Sequence, residues 1–115
     1  MGGRSAPSLL VVEDFEGSST GKQAIEEARR ARPDVIVMDL GLPRVKGWEL
    51  IQRLKSEAAT RHIPVLALTG HVQPRFAELV RAAGADTVLR KPRALDELLR
   101  EIERLLRRDD DARHP

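Results

Sequence analysis

The sequence predicts a single α/β domain built on a parallel sheet of about four strands, with helices on both faces of the sheet. Four short apolar runs, at 9–12, 35–38, 63–68 and 87–89, are rich in β-branched residues and typical of strands buried on both faces. Segments with helical spacing lie between and after these runs. Because strands and helices alternate, the strands are expected to be parallel and joined by right-handed crossovers.

Apolar residues spaced three and four apart define each predicted helix. The four sets, in chain order, are Ala24, Ile25 and Ala28; Trp48, Ile51 and Leu54; Phe76, Leu79, Val80 and Ala83; and Leu95, Leu98, Leu99, Ile102, Leu105 and Leu106. Gly84 predicts the end of the third helix, and the aspartates at 109–111 predict the end of the fourth. We therefore expect one domain over 1–115, with a core at about 8–108 and tails at 1–7 and 109–115.

Composition excludes several classes of protein. The 115 residues include no cysteine, which excludes disulfides, thiolate metal sites and cysteine nucleophiles. No apolar run approaches the ~20 residues of a membrane helix, and the N-terminus lacks a signal-peptide pattern. The net charge is +2, acidic and basic residues are interleaved along the helices, and aromatic residues for base stacking are scarce. We expect a cytoplasmic domain that binds neither membranes nor nucleic acid.

Polar residues follow each of the four predicted strands. They are Glu13 and Asp14, then Asp39, then Thr69, and finally Lys91. Chemistry in such sheets gathers at the carboxyl ends of the strands, so these side chains are expected to converge. Three carboxylates cannot all stay ionised without a cation, and oxygen-only ligation suits Mg²⁺. A metal and a lysine flanking one carboxylate favour phosphoryl transfer to Asp39 over the simpler interpretation that each acid ends a strand in solvent.

These residues lie in motifs that resemble the response-regulator receiver domains of two-component signalling. The motifs are Glu13-Asp14 after the first strand, VIVMDLGLP at 35–43, KGWE at 46–49, IPVLALTG at 63–70 and LRKP at 89–92. They match in order from about residue 8 to residue 108. The resemblance implies a flavodoxin-like fold and a phosphoacceptor signalling domain. It does not imply an enzyme, although self-phosphorylation from phosphodonors and autodephosphorylation would be compatible with it.

The resemblance also implies a role for each motif residue. Asp39 would be the phosphoacceptor, taking a phosphoryl group from a histidine kinase or a phosphotransfer protein. Glu13 and Asp14 would hold Mg²⁺ together with Asp39 and the backbone carbonyl of Gly41.

The same resemblance assigns two further groups around the phosphoryl oxygen atoms. Lys91 would contact the phosphoryl group, and Thr69 would be the switch hydroxyl that moves to bond it. Two positions depart from the family pattern. Val88 replaces a usual aromatic residue, so an aromatic rotamer switch cannot operate there, and Gly70 stands where alanine is common.

The largest departure lies between Asp14 and Gly21. Receivers place a helix and a second strand here, which need some two dozen residues, whereas this chain has only residues 15–20. Removing that strand from the order 2-1-3-4-5 leaves 1-3-4-5, and residues 15–20 form a flexible bridge to a helix that begins near Gly21. The first strand and part of the last helix would then be exposed, so we expect self-association through them. The intact mass of the protein distinguishes this deletion from a molecule that retains the segment.

Two alternative functions remain open. The first is a degenerate or truncated receiver that acts as a non-phosphorylated oligomerisation or binding module. The segment GSSTGKQ at 17–23 also partly resembles a phosphate-binding P-loop, but it has one residue too few between its glycines and Gln23 after the lysine.

Overall fold

Four strands alternate with four helices along the chain. The structure is a computed structural model that describes residues 7–13, 18–40, 45–70, 74–90 and 95–113. The elements are β1 (Leu9–Glu13), α1 (Ser18–Ala31), β2 (Val35–Leu40), α2 (Val45–Ser56), β3 (Val65–Thr69), α3 (Pro74–Ala83), β4 (Thr87–Arg90) and α4 (Leu95–Arg113). The predicted alternation and the α/β class are confirmed.

The strands form one parallel sheet in the order β1-β2-β3-β4. This is the order 1-3-4-5 predicted when the family's second strand is removed. Between β1 and α1 only residues 14–17 intervene, and four residues cannot hold a helix and a strand. With no strand replacing the absent one in the described part of the chain, β1 lies at an edge of the sheet.

The two faces of the sheet are buried against different helices. One cluster contains Ile36 and Met38 of β2 packed with apolar residues of α1, α2 and α3. The other contains Val35 and Val37 packed against α4, where Leu105 is fully buried. Successive side chains of β2 are therefore buried on opposite faces of the sheet, as expected for a central parallel strand.

β1 is covered on one face and exposed on the other. Leu10 and Val12 pack into the cluster beneath α1, whereas Leu9 is 45% exposed and Val11 is 62% exposed. On α4, Leu99 is 48% exposed. The predicted exposure of the first strand and of part of the last helix is confirmed.

Several predicted boundaries are wrong. α1 begins at Ser18, so residues 18–20 are helical and do not belong to a flexible bridge that reaches Gly21. α4 continues through the aspartates at 109–111 to Arg113, because an aspartate costs well under about 1 kcal/mol within an established helix. The first two residues of the third apolar run lie outside β3, where the N–H of Ile63 donates to the carbonyl of Thr60 in a turn.

One residue of the predicted helix stripes is not part of the core. Leu79 of α3 is 39% exposed, although its neighbours Phe76 and Val80 are buried. Within the described residues, no helix has the length and apolar character needed to cross a lipid bilayer.

A charged link ties the amino ends of β3 and β4 to α2. Lys55 Nζ donates to the carbonyl oxygen of Ile63 at 2.7 Å and to Asp86 Oδ2 at 2.9 Å. The same Asp86 oxygen accepts from the N–H of Val65 at 2.8 Å. Because both side chains are largely buried, the link is shielded from water and helps to fix the β3–β4 register.

Gly84 ends α3, as the sequence predicts, and it does so with a φ of +123°. Its N–H donates to Arg81 O, and the N–H of Ala85 donates to Val80 O. A Cβ atom at position 84 would lie 2.6 Å from Cγ of Lys55. Glycine is therefore required both by the backbone conformation and by the close approach of Lys55.

We expect Gly84→Ala to lower the free energy of unfolding by about 1–3 kcal/mol, because it combines a left-handed backbone with a steric clash. Urea unfolding monitored by circular dichroism measures this loss. The control is Arg81→Ala, an exposed substitution in the last turn of the same helix, which should change stability by no more than about 0.5 kcal/mol. Equal stability of the Gly84→Ala variant and the parent would contradict the role assigned to Gly84.

Candidate functional site

The carboxyl ends of the strands bring several of the predicted site residues together. Asp39 of β2 is the register partner of Glu13 in β1 and of Leu68 in β3. Thr69, the next residue of β3, is the register partner of Arg90 in β4. The predicted convergence of strand ends is therefore present in the backbone from β1 across to β4.

Asp39 lies at the end of an apolar strand and is half-buried, with its Oδ1 atom shielded from solvent. The apolar residues before it are buried on both faces of the sheet, and this packing fixes the position of the Asp39 backbone. A carboxylate held in this way can act as an oxygen nucleophile or a ligand for a hard cation.

Thr69 lies one strand away from Asp39 and one residue further along. Its side chain is 2% exposed. With a strand spacing of about 4.8 Å and a rise of about 3.3 Å, the Cα atoms of Asp39 and Thr69 are about 6 Å apart. Thr69 is therefore the hydroxyl-bearing residue of β3 next to Asp39 at this edge of the sheet.

Three predicted site residues lie outside the described residues: Asp14, Gly41 and Lys91. Each directly follows the last residue of a strand: β1, β2 and β4, respectively. In the described part of the chain, no group of three or more acidic, histidine or cysteine residues forms a metal site. Two of the four predicted metal ligands, Asp14 and Gly41, lie outside the described residues.

Two departures from the family pattern can be located. Val88 of β4 is half-buried and packs against the larger core cluster. Gly70 directly follows Thr69, is exposed, and donates its N–H to the carbonyl of Leu40 at 3.4 Å.

The P-loop alternative does not fit the described backbone. Residues 18–23 of that motif belong to α1, and Lys22 is an exposed residue within the helix. A P-loop holds phosphate in a loop that precedes its helix, and its lysine follows that loop directly. Here the helix has already begun at Ser18.

Arg90 is a rim residue that the sequence pattern did not single out as functional. It is exposed at the end of β4, beside Thr69 in the register and directly before Lys91. The signal available in the sequence is the pair of basic residues at 90–91, which places two cationic side chains after one strand. Arg90 adds positive charge to the carboxyl end of the sheet.

The carboxyl edge of this α/β sheet therefore carries a half-buried aspartate on a central strand, with an acid-bearing strand on one side and a buried threonine on the other. The family profile of response regulator receiver domains matches residues 10–103. The chain therefore belongs to the response regulator receiver domain family.

Named relatives agree with this assignment. The chain is 36% identical over 100 residues to the polar-differentiation response regulator DivK of Brucella anthropi, covering 85% of this chain and 81% of that protein. It is 43% identical over 99 residues to the response regulator MprA of Mycobacterium leprae, covering 84% of this chain but 42% of that longer protein.

A solved structure shows the same fold. The receiver domain of the sensor histidine kinase PA1611 from Pseudomonas aeruginosa is 28% identical, with a TM-score of 0.72 over 89% of this chain and 98% of that one. That structure is described with a magnesium ion coordinated in its active-site cleft.

Proposed function

We propose that this receiver domain accepts a phosphoryl group on Asp39 in a two-component signalling system. The observation that supports this proposal is the position of Asp39, half-buried at the end of β2 with Glu13 and Thr69 at adjacent strand ends. The domain acts as a phosphoacceptor in the cytoplasm. It undergoes self-phosphorylation and loss of the phosphoryl group, without turning over a separate substrate.

The proposed transfer has a simple balance of bonds. A carboxylate oxygen of Asp39 attacks the phosphorus of a phosphohistidine, and a P–O bond forms as the P–N bond breaks. The imidazole leaves and takes a proton from solvent. Thr69 is proposed to donate its hydroxyl to a phosphoryl oxygen, and Lys91 to neutralise another.

The residues present fit a magnesium ion. Glu13, Asp14 and Asp39 would supply carboxylate oxygens and Gly41 a backbone carbonyl, a set of hard ligands that suits Mg²⁺. The Glu13–Asp39 register pair supports this assignment because it joins two of these ligands across adjacent strands. His62 is exposed after α2, away from these strand ends, and is not among the proposed ligands. When bound, the ion supplies positive charge for the transferring phosphoryl group.

We expect phosphoryl labelling by acetyl phosphate to require Mg²⁺. Chelation with EDTA should reduce the labelling rate by at least about tenfold, because phosphoryl transfer depends on charge neutralisation by the metal. Excess Mg²⁺ should restore the rate, and the labelled fraction is measured by intact mass. The same rate with and without EDTA would contradict the metal assignment. No labelling under either condition would instead support a non-phosphorylated binding module.

The proposed physiological phosphodonor is a histidine kinase or a phosphotransfer protein. Support comes from the family assignment and from relatives that are response regulators. The described residues hold no helix between β1 and α1, and in the family the helix at that place helps to dock the phosphodonor protein. Labelling by a small molecule does not depend on such docking, so it is the more direct test of the Asp39 site.

We also propose that the domain self-associates through β1 and the neighbouring flank of α4. The exposed Leu9, Val11 and Leu99 side chains support this proposal, because they form apolar surface beside an open sheet edge.

A further inference from the structure

The open edge of β1 has backbone groups directed away from the sheet. Ser8 bonds Asp34 on the β2 side, with its N–H donating to Oδ2 at 2.9 Å and its carbonyl accepting from the Asp34 N–H at 2.8 Å. Alternate residues of a parallel strand direct their backbone groups to opposite sides. Leu9, Val11 and Glu13 therefore direct theirs to the open edge.

Over positions 9–12 this edge lacks the usual protection against strand pairing. Natural edge strands are commonly blocked by charged side chains, proline or a bulge. Positions 9–12 are Leu-Leu-Val-Val, and β1 pairs with β2 without a bulge. Val11, at the centre of the strand, is 62% exposed.

Apolar side chains also line the flank of α4 nearest β1. The opposite flank faces β4, because Thr87 Oγ1 accepts from Arg104 Nη2 at 2.8 Å and donates to Glu101 Oε1 at 3.2 Å. A rotation of 100° per residue places Leu99 and Leu106 on the other side of the helix, toward β1.

The outward face of α4 is charged and argues against stacking two sheets face to face. Arg100, Glu103 and Arg107 are exposed on this face. A partner laid over the helix would remove these charges from water, which is unfavourable for every ion left without a partner. Pairing beside β1 leaves them solvated.

We propose that a second copy of this chain pairs antiparallel with β1 at its open edge, so that two four-stranded sheets become one continuous sheet. This inference rests on the self-association proposed above and specifies its geometry. A two-fold axis at Val11 sets that residue opposite Val11 of the second copy and sets Leu9 opposite Glu13. The outward backbone groups then make about six hydrogen bonds.

The pairing is compatible with the charge on β1 and with the Asp39 site. Glu13 is the single charged residue in β1, and it lies opposite a leucine instead of another glutamate. Because the two β1 strands run in opposite directions, the carboxyl ends that carry Asp39 point away from each other. The proposed phosphoacceptor site of one copy therefore lies at one end of the shared edge, and the site of the second copy lies at the other end.

Analytical ultracentrifugation over a concentration series tests the association. We expect the parent to form a dimer and Val11→Lys to be monomeric, because the substitution sets two ammonium groups opposite each other. Leu79→Lys is the matched control: it changes an exposed leucine on α3, away from β1, and should remain dimeric. A folded parent that stays monomeric at every concentration, or a dimer unaffected by Val11→Lys, would overturn the proposal.

Cysteine crosslinking tests the register, since the chain has no cysteine of its own. Residues in a hydrogen-bonded antiparallel pair have Cα atoms about 5.5 Å apart, within the range that a disulfide spans. Val11→Cys should therefore form a covalent dimer on mild oxidation. Leu9→Cys should not, because the two copies of position 9 would be about 14 Å apart. The reverse pattern, or equal crosslinking of both variants, would overturn this pairing.

The same measurements on Asp39→Asn separate this inference from the phosphoacceptor proposal. That variant is expected to dimerise and to crosslink through Val11→Cys as the parent does, because the interface uses the β1 edge. A parent that dimerises but is not labelled would reject the phosphoacceptor proposal and leave the edge pairing standing, and a parent that is labelled but stays monomeric would reject the edge pairing alone.

Discussion

Asp39→Asn is expected to reduce phosphoryl labelling to background, a loss of at least about 100-fold. The amide has nearly the shape of the carboxylate, so the half-buried site at the end of β2 should keep its packing. It cannot supply an anionic oxygen for attack on phosphorus. The measurement is the labelled fraction by intact mass after incubation with acetyl phosphate and Mg²⁺.

Asp96→Asn is the matched control for this loss. Asp96 lies on α4 with its side chain 69% exposed, and its partner Arg100 is also a surface residue. We expect labelling within about twofold of the parent, because a surface pair contributes little to stability and Asp96 is not among the proposed site residues. Equal labelling of the parent and Asp39→Asn would contradict the assignment of Asp39.

Leu105→Ala is expected to lower the free energy of unfolding by about 2–5 kcal/mol. Leu105 is fully buried where α4 packs on Val35, Val37 and Leu66. In the described structure α4 is the helix that covers this face, so a cavity beneath it has no neighbouring helix to fill it. Since a small domain is stable by about 5–15 kcal/mol, this one substitution removes a large part of the total.

Leu79→Ala is the control, because it truncates a leucine that is partly exposed instead of fully buried. Leu79 is 39% exposed, and its truncation should cost less than about 1 kcal/mol. Urea unfolding at one fixed protein concentration gives both values, because dimerisation would make stability depend on concentration. Similar losses for the two variants would contradict the role of Leu105 as the anchor of α4.

Most of the fold follows from local patterns in the sequence. The continuous apolar run in β2 predicts a strand buried on both faces, and Ile36 and Val37 are indeed buried on opposite faces of the sheet. The short connection after Asp14 predicts the shortened strand order, because it cannot hold the missing helix and strand. Asp39 could be placed at a strand end because it directly follows apolar residues.

Other features depend on contacts between distant residues. The link between Lys55 and Asp86 joins residues 31 positions apart, and nothing in the local pattern of either residue indicates it. The start of α1 at Ser18 was not predicted, because serine, threonine and glycine are weak helix formers and their local preference favours a loop. Leu79 matched the helical spacing of α3 but lies at the margin of the buried stripe.

The most direct test of the account is to locate the phosphoryl group on the chain. After labelling with acetyl phosphate and Mg²⁺, reduction with borohydride converts a phosphorylated aspartate to homoserine, which peptide mass spectrometry can locate. The account predicts homoserine at position 39 and at no other aspartate. Homoserine at position 14, or phosphate found on serine or threonine with position 39 unchanged, would contradict it.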